Sequence, residues 1–244
     1  MGNSPKIGKQ IINSLTQFIS PNICVVCNEL IQSENYKFDF LCNVCFKKIP
    51  FFNQNEDLTT RQILGTDSTK ISINLSISLI STHSDSNYFH LIHQLKYQNH
   101  RIIGLKLGEE LAKFMIKNQF PEFDLILPIP LHPAKKRERG YNQSDFIAKG
   151  ISNIYNIPFS TKAVTRFVYT ESQTLSKSDI ERYNNIKNAF KVVNGGLIQN
   201  KNILICDDVF TTGSTLNSLA TELKESGAKQ IYTATIIATK SYID

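Results

Sequence analysis

Apolar positions along this chain follow two periods. Near-continuous apolar and β-branched runs occupy residues 71–80, 123–130, 201–209 and 230–239, the pattern of strands covered on both faces. Between them, stretches near 104–118, 142–156 and 214–226 carry apolar residues at helical spacing. Strand and helix in alternation predict βαβ units, hence an α/β fold with a mostly parallel sheet flanked by helices. Ile7, Ile11, Ile12, Leu15, Phe18 and Ile19 also fall at helical spacing, which predicts an amphipathic helix over 1–20 that ends before Pro21. Its basic residues are few and confined to its start, so the stripe reads as core-facing and is assigned no function. The polar stretch 53–70, with Gly65, reads as a linker. The expected organisation is therefore a helix at 1–20, a cysteine module at 21–52, a linker at 53–70 and an α/β domain at 71–244.

Two cysteine pairs define that module. Cys24 and Cys27 are separated by two residues, Cys42 and Cys45 likewise, and fourteen residues lie between the pairs. A two-residue gap lets both thiolates of one turn reach the same ion, and two such turns complete the tetrahedron zinc prefers. Four thiolates leave no open position, so a structural zinc is expected, holding a segment too short for its own core. A redox disulfide pair is the competing reading, disfavoured by the lack of an export signal. Cys206 sits in an apolar run and reads as a small buried hydrophobe.

Residues 202–216 carry the most specific chemistry. An apolar strand ends at Asp207 and Asp208, placing two carboxylates where open α/β sheets bind ligands. Thr211, Thr212, Gly213, Ser214 and Thr215 follow with hydroxyls, backbone N–H groups and a glycine that permits close approach. The helix expected from about Ser214 points its positive end into this loop, which makes a phosphate cradle. Paired acids beside it suit the two hydroxyls of a ribose rather than a second phosphate. The spacing is not that of a P-loop.

Upstream, a strand runs into a proline-rich turn and a basic cluster of Lys135, Lys136, Arg137 and Arg139. Alone, such a run is as often a solvated face as an anion site; its place after a strand favours the latter. The hydroxyl-rich stretch 165–190, with Lys177, Arg182 and Lys187, reads either as a mobile lid or as a plain surface loop. Composition changes little here. The chain has 244 residues, 41% hydrophobic and 20% charged, which is ordinary globular material. Its net charge of +6 favours anionic partners, phosphorylated metabolites and nucleic acid alike. No apolar run approaches the ~20 residues a membrane span needs, and the expected location is the cytoplasm.

The run from Ile203 to Thr215 resembles the signature of type I phosphoribosyltransferases. The likeness implies that Asp207 and Asp208 hold ribose hydroxyls and that Thr211 to Thr215 hold the 5-phosphate. It also implies that His132 to Arg139 bind pyrophosphate. The wider pattern resembles the ComF family, a competence-associated subgroup. It comprises the double Cys-x-x-Cys module, Leu91 to Tyr97, the Pro-Ile-Pro-Leu-His-Pro run with Arg137 to Gln143, Gln173 to Ser176 with Arg182 and Asn185, and the phosphate loop.

What this implies is a protein that binds 5-phosphoribosyl-1-pyrophosphate with magnesium and takes part in uptake and processing of DNA. Lys135, Arg137 and Arg139, with Lys177 or Arg182, would neutralise the leaving group. Thr211 stands where purine-salvage members carry an aspartate base. The alternative is a non-catalytic competence factor that binds single-stranded DNA or protein partners. For that reading, Tyr36, Phe38, Phe40 and Phe46 are candidate base-stacking rings, although packing round the metal suits them better.

Overall fold

The computed structural model describes residues 22–31, 37–53, 58, 71–97, 101–167 and 189–240. In chain order its elements are α1 (Asn43–Lys47), β1 (Leu75–Thr82), α2 (Phe89–Tyr97), α3 (Arg101–Lys117), β2 (Leu125–Pro128), α4 (Pro133–Arg139), α5 (Gln143–Tyr155), β3 (Val164–Arg166), β4 (Phe190–Val192), β5 (Asn202–Phe210), α6 (Ser214–Glu225) and β6 (Gln230–Thr239). Among the described residues β1, β6, β5 and β2 form one parallel sheet in that order, and β3 pairs antiparallel with β4.

The central strands are apolar because the sheet is covered on both faces. Residues 203–206 of β5 are fully buried. Hydroxyls inside the sheet pair with each other, Thr233 Oγ1 with Ser76 Oγ at 2.8 Å and Thr235 Oγ1 with Ser78 Oγ at 3.2 Å, so their burial leaves no polar group unmet. Helices α3 and α5 pack on each other, α3 against β1 and β6, α5 against β2 and β5. Glycine makes that crossing close. A Cβ on Gly108 would lie 2.3 Å from the Ile147 carbonyl oxygen, and one on Gly150 2.2 Å from that of Leu105.

Both sheet edges are covered, which removes templates for strand addition. Phe51 bridges Ile80 of β1, with Phe52 N–H donating to Leu79 O at 3.1 Å and Ser81 N–H to Pro50 O at 2.9 Å. On the far edge, Ile126 of β2 exchanges backbone hydrogen bonds with Pro158 and Ser160.

Three expectations change in detail. The first strand begins at Leu75 rather than 71, because Ser72 and Asn74 are tied down as a connection: Ser72 N–H donates to Asn217 Oδ1, and Asn74 pairs with Ile231 through both backbone and side chain. The basic cluster after β2 is helical rather than a loop. A helix also precedes α3, with Leu91 and Leu95 wholly buried. The helix expected at 1–20 lies outside the described residues, as does nearly all of 53–70. Among the described residues no helix is long and apolar enough to cross a membrane.

Candidate functional site

Strand β5 delivers the acid pair. Side chains alternate along a strand, and the two acids have different partners. Asp207 Oδ1 accepts the Ser144 hydroxyl at 2.8 Å and the Asp208 N–H at 2.8 Å. Asp208 is buried, and its Oδ2 lies 2.7 Å from Lys96 Nζ. Ser144 stands in the first turn of α5, fixed there by Asn142, which caps the helix through Oδ1 and donates from Nδ2 to Ile129 O at 2.9 Å. Burial and the adjacent Asp208 charge push the Asp207 carboxyl up to about 7, against the pull of Ser144, the Asp208 N–H and Lys96. Burial works against the Lys96 charge, but Asp208 outweighs it and raises the ammonium above the usual lysine range.

Beyond the acids, β5 ends at Phe210 and the chain turns through 211–213 into α6. Gly213 takes φ 69°, a left-handed value that favours glycine. As the N-cap of α6 it offers no side chain to the first-turn amides. Thr211 and Thr212 are exposed, and the Thr212 and Ser214 hydroxyls lie 3.0 Å apart. Hydroxyls and amides at a helix start, after a buried strand, are equipped to take a phosphate.

The basic residues sit on α4. His132 caps this helix, its Nδ1 accepting the Ala134 N–H at 3.2 Å; Pro133 opens it and left-handed Gly140 closes it. Helical geometry puts Lys135 and Arg139 on one face, four residues apart, and turns Lys136 and Arg137 away. Burial, Arg166 and Arg139 together lower the Lys135 pKa, and Arg139 and Asp207 are both within electrostatic reach of Lys96. Arg166 of β3, also lowered by burial, feels the Asp207 charge. Lys96 and Arg166 therefore supply positive charge at the acid pair, and Lys135 and Arg139 stand within electrostatic reach of Lys96. Lys136 and Arg137 instead line a cavity of about 490 Å³ at the end of β2, together with Asp145, Ser160 and Arg166.

The cysteine module brings its four ligands together as the spacing predicts. The sulfur atoms of Cys24, Cys27, Cys42 and Cys45 all lie within 4.8 Å of one another. Four thiols converging at this separation, with no fifth ligand group among the described residues, suit a closed tetrahedral zinc. Burial raises the Cys24 thiol, but N–H groups of Cys42, Cys27 and Val26 outweigh it and bring the pKa to about 7, which favours the thiolate a metal needs. Cys206 is fully buried in β5, with its thiol pushed well up by burial. Phe38 and Phe40 are buried and stack on each other with ring centroids 5.0 Å apart, and Phe46 meets Phe38 edge-on. Tyr88, next to α2, donates its hydroxyl to Cys45 O at 2.8 Å, and Lys37 pairs with Glu110 of α3. These contacts seat the module against the α/β body.

Of the residues expected from sequence, Asp207, Asp208 and the 211–215 loop share one strand–loop–helix segment, and Lys135 and Arg139 come within electrostatic reach of Lys96, the partner of Asp208. Arg137 faces the cavity instead, because α4 is a helix and spreads its cations over two faces. Lys177, Arg182 and Tyr36 lie outside the described residues. Lys96, Ser144 and Arg166 were given no role by sequence reasoning. Lys96 stands inside Leu91 to Tyr97, a segment that carries the family resemblance, and that was its one available signal; Ser144 falls one residue past the segment that ends at Gln143.

Residues 140–244 match the phosphoribosyl transferase domain family. Competence protein F of Haemophilus influenzae is 30% identical over 217 residues, 86% of this chain and 87% of that protein. DNA utilization protein YhgH of Escherichia coli K12 is 33% identical over 147 residues, 58% of this chain and 63% of that protein. Competence protein ComFC of Streptococcus pneumoniae is 29% identical over 137 residues, 56% of this chain and 55% of that protein. With its parallel sheet flanked by helices, the chain has the type I phosphoribosyltransferase fold, with a cysteine cluster fitted to a small zinc module. It belongs to the ComF family, as a competence-associated, phosphoribosyltransferase-like protein.

Proposed function

We propose that this protein binds 5-phosphoribosyl-1-pyrophosphate and transfers its phosphoribosyl group. The observation that carries this reading is the strand–loop–helix segment itself: a carboxylate pair and a helix start with no side-chain cap, one loop apart, with Lys96 and Arg166 at the acids. Asp207 and Asp208 accept the 2- and 3-hydroxyls of the ribose. Thr211, Thr212, Gly213, Ser214 and Thr215 hold the 5-phosphate at the positive end of α6. As a nucleophile attacks the anomeric carbon, the bond from that carbon to the pyrophosphate oxygen breaks and negative charge gathers on the leaving group. Lys135 and Arg139 stabilise that charge, joined by Lys177 or Arg182 from the 168–188 segment. Arg137, on the other face of α4, acts from the cavity side. Magnesium would enter with the sugar pyrophosphate and would add positive charge at the leaving group.

In the same proposal residues 21–52 are a structural zinc module and 71–244 the phosphoribosyltransferase-like domain. The protein works in the cytoplasm, where thiols remain reduced and available to metal. A role in handling transforming DNA is supported by the names of its relatives and by the charge of +6. Direct binding of single-stranded DNA or competence proteins is the second reading. It would need a surface other than Phe38 and Phe40, whose rings are packed in the module.

Calorimetric titration of the zinc-loaded protein with 5-phosphoribosyl-1-pyrophosphate and magnesium tests the proposal. Wild type should bind, and the Asp207→Asn, Asp208→Asn double variant should not. A folded wild type that binds no sugar phosphate would shift the function to DNA or partner binding.

A further inference from the structure

We infer that Lys96 is a positioning residue of the sugar-phosphate site, an ammonium group brought in on α2 that clamps Asp208 so that the acid pair faces a vicinal diol. This deepens the function proposed above and rests on it. Lys96 lies outside both the strand–loop–helix segment and the 140–244 domain match, and no part of that signature calls for it.

The geometry is that of a built contact. Lys96 Nζ lies 2.7 Å from Asp208 Oδ2, and the Asp208 side chain is 5% exposed, so solvent does little to weaken the pair. The helix that carries the lysine is held at both ends. Tyr88 at its start donates to Cys45 O at 2.8 Å, and Leu95, next to Lys96, accepts the buried Tyr141 hydroxyl at its carbonyl. Leu91 and Leu95 are wholly buried between them. This lysine is therefore placed, unlike a surface lysine on a free stem.

Two adjacent carboxylates in a desolvated site need such a group. They repel each other, and one responds by keeping its proton, as Asp207 does with its rise to about 7. A protonated carboxyl has fewer acceptor positions for sugar hydroxyls. Of the other charges nearby, Arg166 of β3 acts on Asp207, Arg139 and Lys135 of α4 act on Lys96, and the Cys206 thiol of β5 is in reach of both Asp207 and Asp145 of α5. Arg139 works against the Lys96 charge, and the ammonium makes its close contact with Asp208. An ammonium at one carboxylate oxygen uses one acceptor direction and leaves others for a hydroxyl.

The role is at the diol, so it should not depend on the pyrophosphate. Calorimetry of the full chain with three probes reads this out: 5-phosphoribosyl-1-pyrophosphate with magnesium, ribose 5-phosphate and 2-deoxyribose 5-phosphate. Lys96→Met should weaken the first two alike, by about tenfold or more, as for a lost charge-assisted hydrogen bond. The 2-deoxy sugar should lose much less, and Lys96→Arg should keep most of the affinity. Loss confined to the pyrophosphate-bearing probe would make Lys96 a leaving-group contact and overturn the inference, as would unchanged binding of all three.

A ligand-free measurement separates this inference from the function it rests on. Carboxylate NMR of Lys96→Met should show Asp207 titrating higher than in wild type, because the cation that favours its ionised form is gone. Unchanged Asp207 titration would overturn the placement of Lys96. If that titration moves as expected while wild type binds no sugar phosphate, the proposed function fails and its diol role for Lys96 fails with it, leaving the ion pair intact.

Discussion

The α3–α5 crossing sets a test in which two opposing effects can be weighed. Gly108→Ala adds one methyl group to a helix interior, and helix propensity alone would stabilise the protein by about 1 kcal/mol. The new Cβ, however, would stand 2.3 Å from the Ile147 carbonyl oxygen and 3.1 Å from the Ile147 Cα, where ordinary contact begins at 3.4 Å. The obstacle is backbone and cannot rotate aside, so the helices must part by about 1 Å. Overpacking of this kind costs about 1–3 kcal/mol, and a rigid obstacle puts the cost at the upper end. The net loss is about 2 kcal/mol, or about 4–8 °C in melting temperature for a chain of this size.

Thermal unfolding followed by far-UV circular dichroism measures it. Asn153→Ala, at an exposed position of α5, is the control that keeps the propensity gain without the crossing. Because α5 also carries Ser144, Gly108→Ala should weaken sugar-phosphate binding at temperatures well below its melting point. A variant that melts at or above the wild-type temperature would refute the claim that the helices touch through glycine.

Two further outcomes are expected. Asp207 binds a proton more tightly in the folded chain than in the unfolded one, so its contribution is full below the ordinary carboxyl value of about 4 and is lost as pH rises to about 7. In urea unfolding across pH, Asp207→Asn should exceed wild-type stability at pH 8 and lose that advantage towards pH 4; parallel curves would contradict the raised value. In the cysteine module, mass spectrometry of metal content should find one zinc per chain, with sharp loss in Cys27→Ser and none in Cys206→Ser. Equal content in Cys27→Ser would remove that residue from the ligand set.

What could be read from the chain beforehand depended on how local each feature is. The acid pair, the 211–215 loop and the start of α6 are contiguous, so one stretch of sequence displays them in order. The cysteines come in pairs whose spacing is itself the signal. Lys96 has no such advertisement, since its partner Asp208 is remote in sequence and the two meet only in the folded chain. The basic run after β2 was legible as positive charge and not as a helix, although Pro133 at its start and Gly140 at its end are helix signals. Reading those signals would have divided Lys135 and Arg139 from Lys136 and Arg137. Arg166 was hidden for another reason: β3 is three residues long, too short for any periodicity to show.

The order of strands in the sheet also constrains how the protein is made. Within the sheet β1 pairs with β6, and Ser76 meets its partner Thr233 157 residues later. A ribosome therefore releases β1 long before its neighbour exists, and the nascent strand must wait with one edge open while the intervening sequence emerges. Sheets closed by such distant pairings fold late and pass through states prone to association. Synthesis that stops short of β6 leaves β1 without its strand neighbour and β5 paired on one side alone, with β2, so that two open edges remain on an apolar sheet. For this chain, quality control can act only near the end of translation, because its first strand has no place in the sheet until its last one arrives.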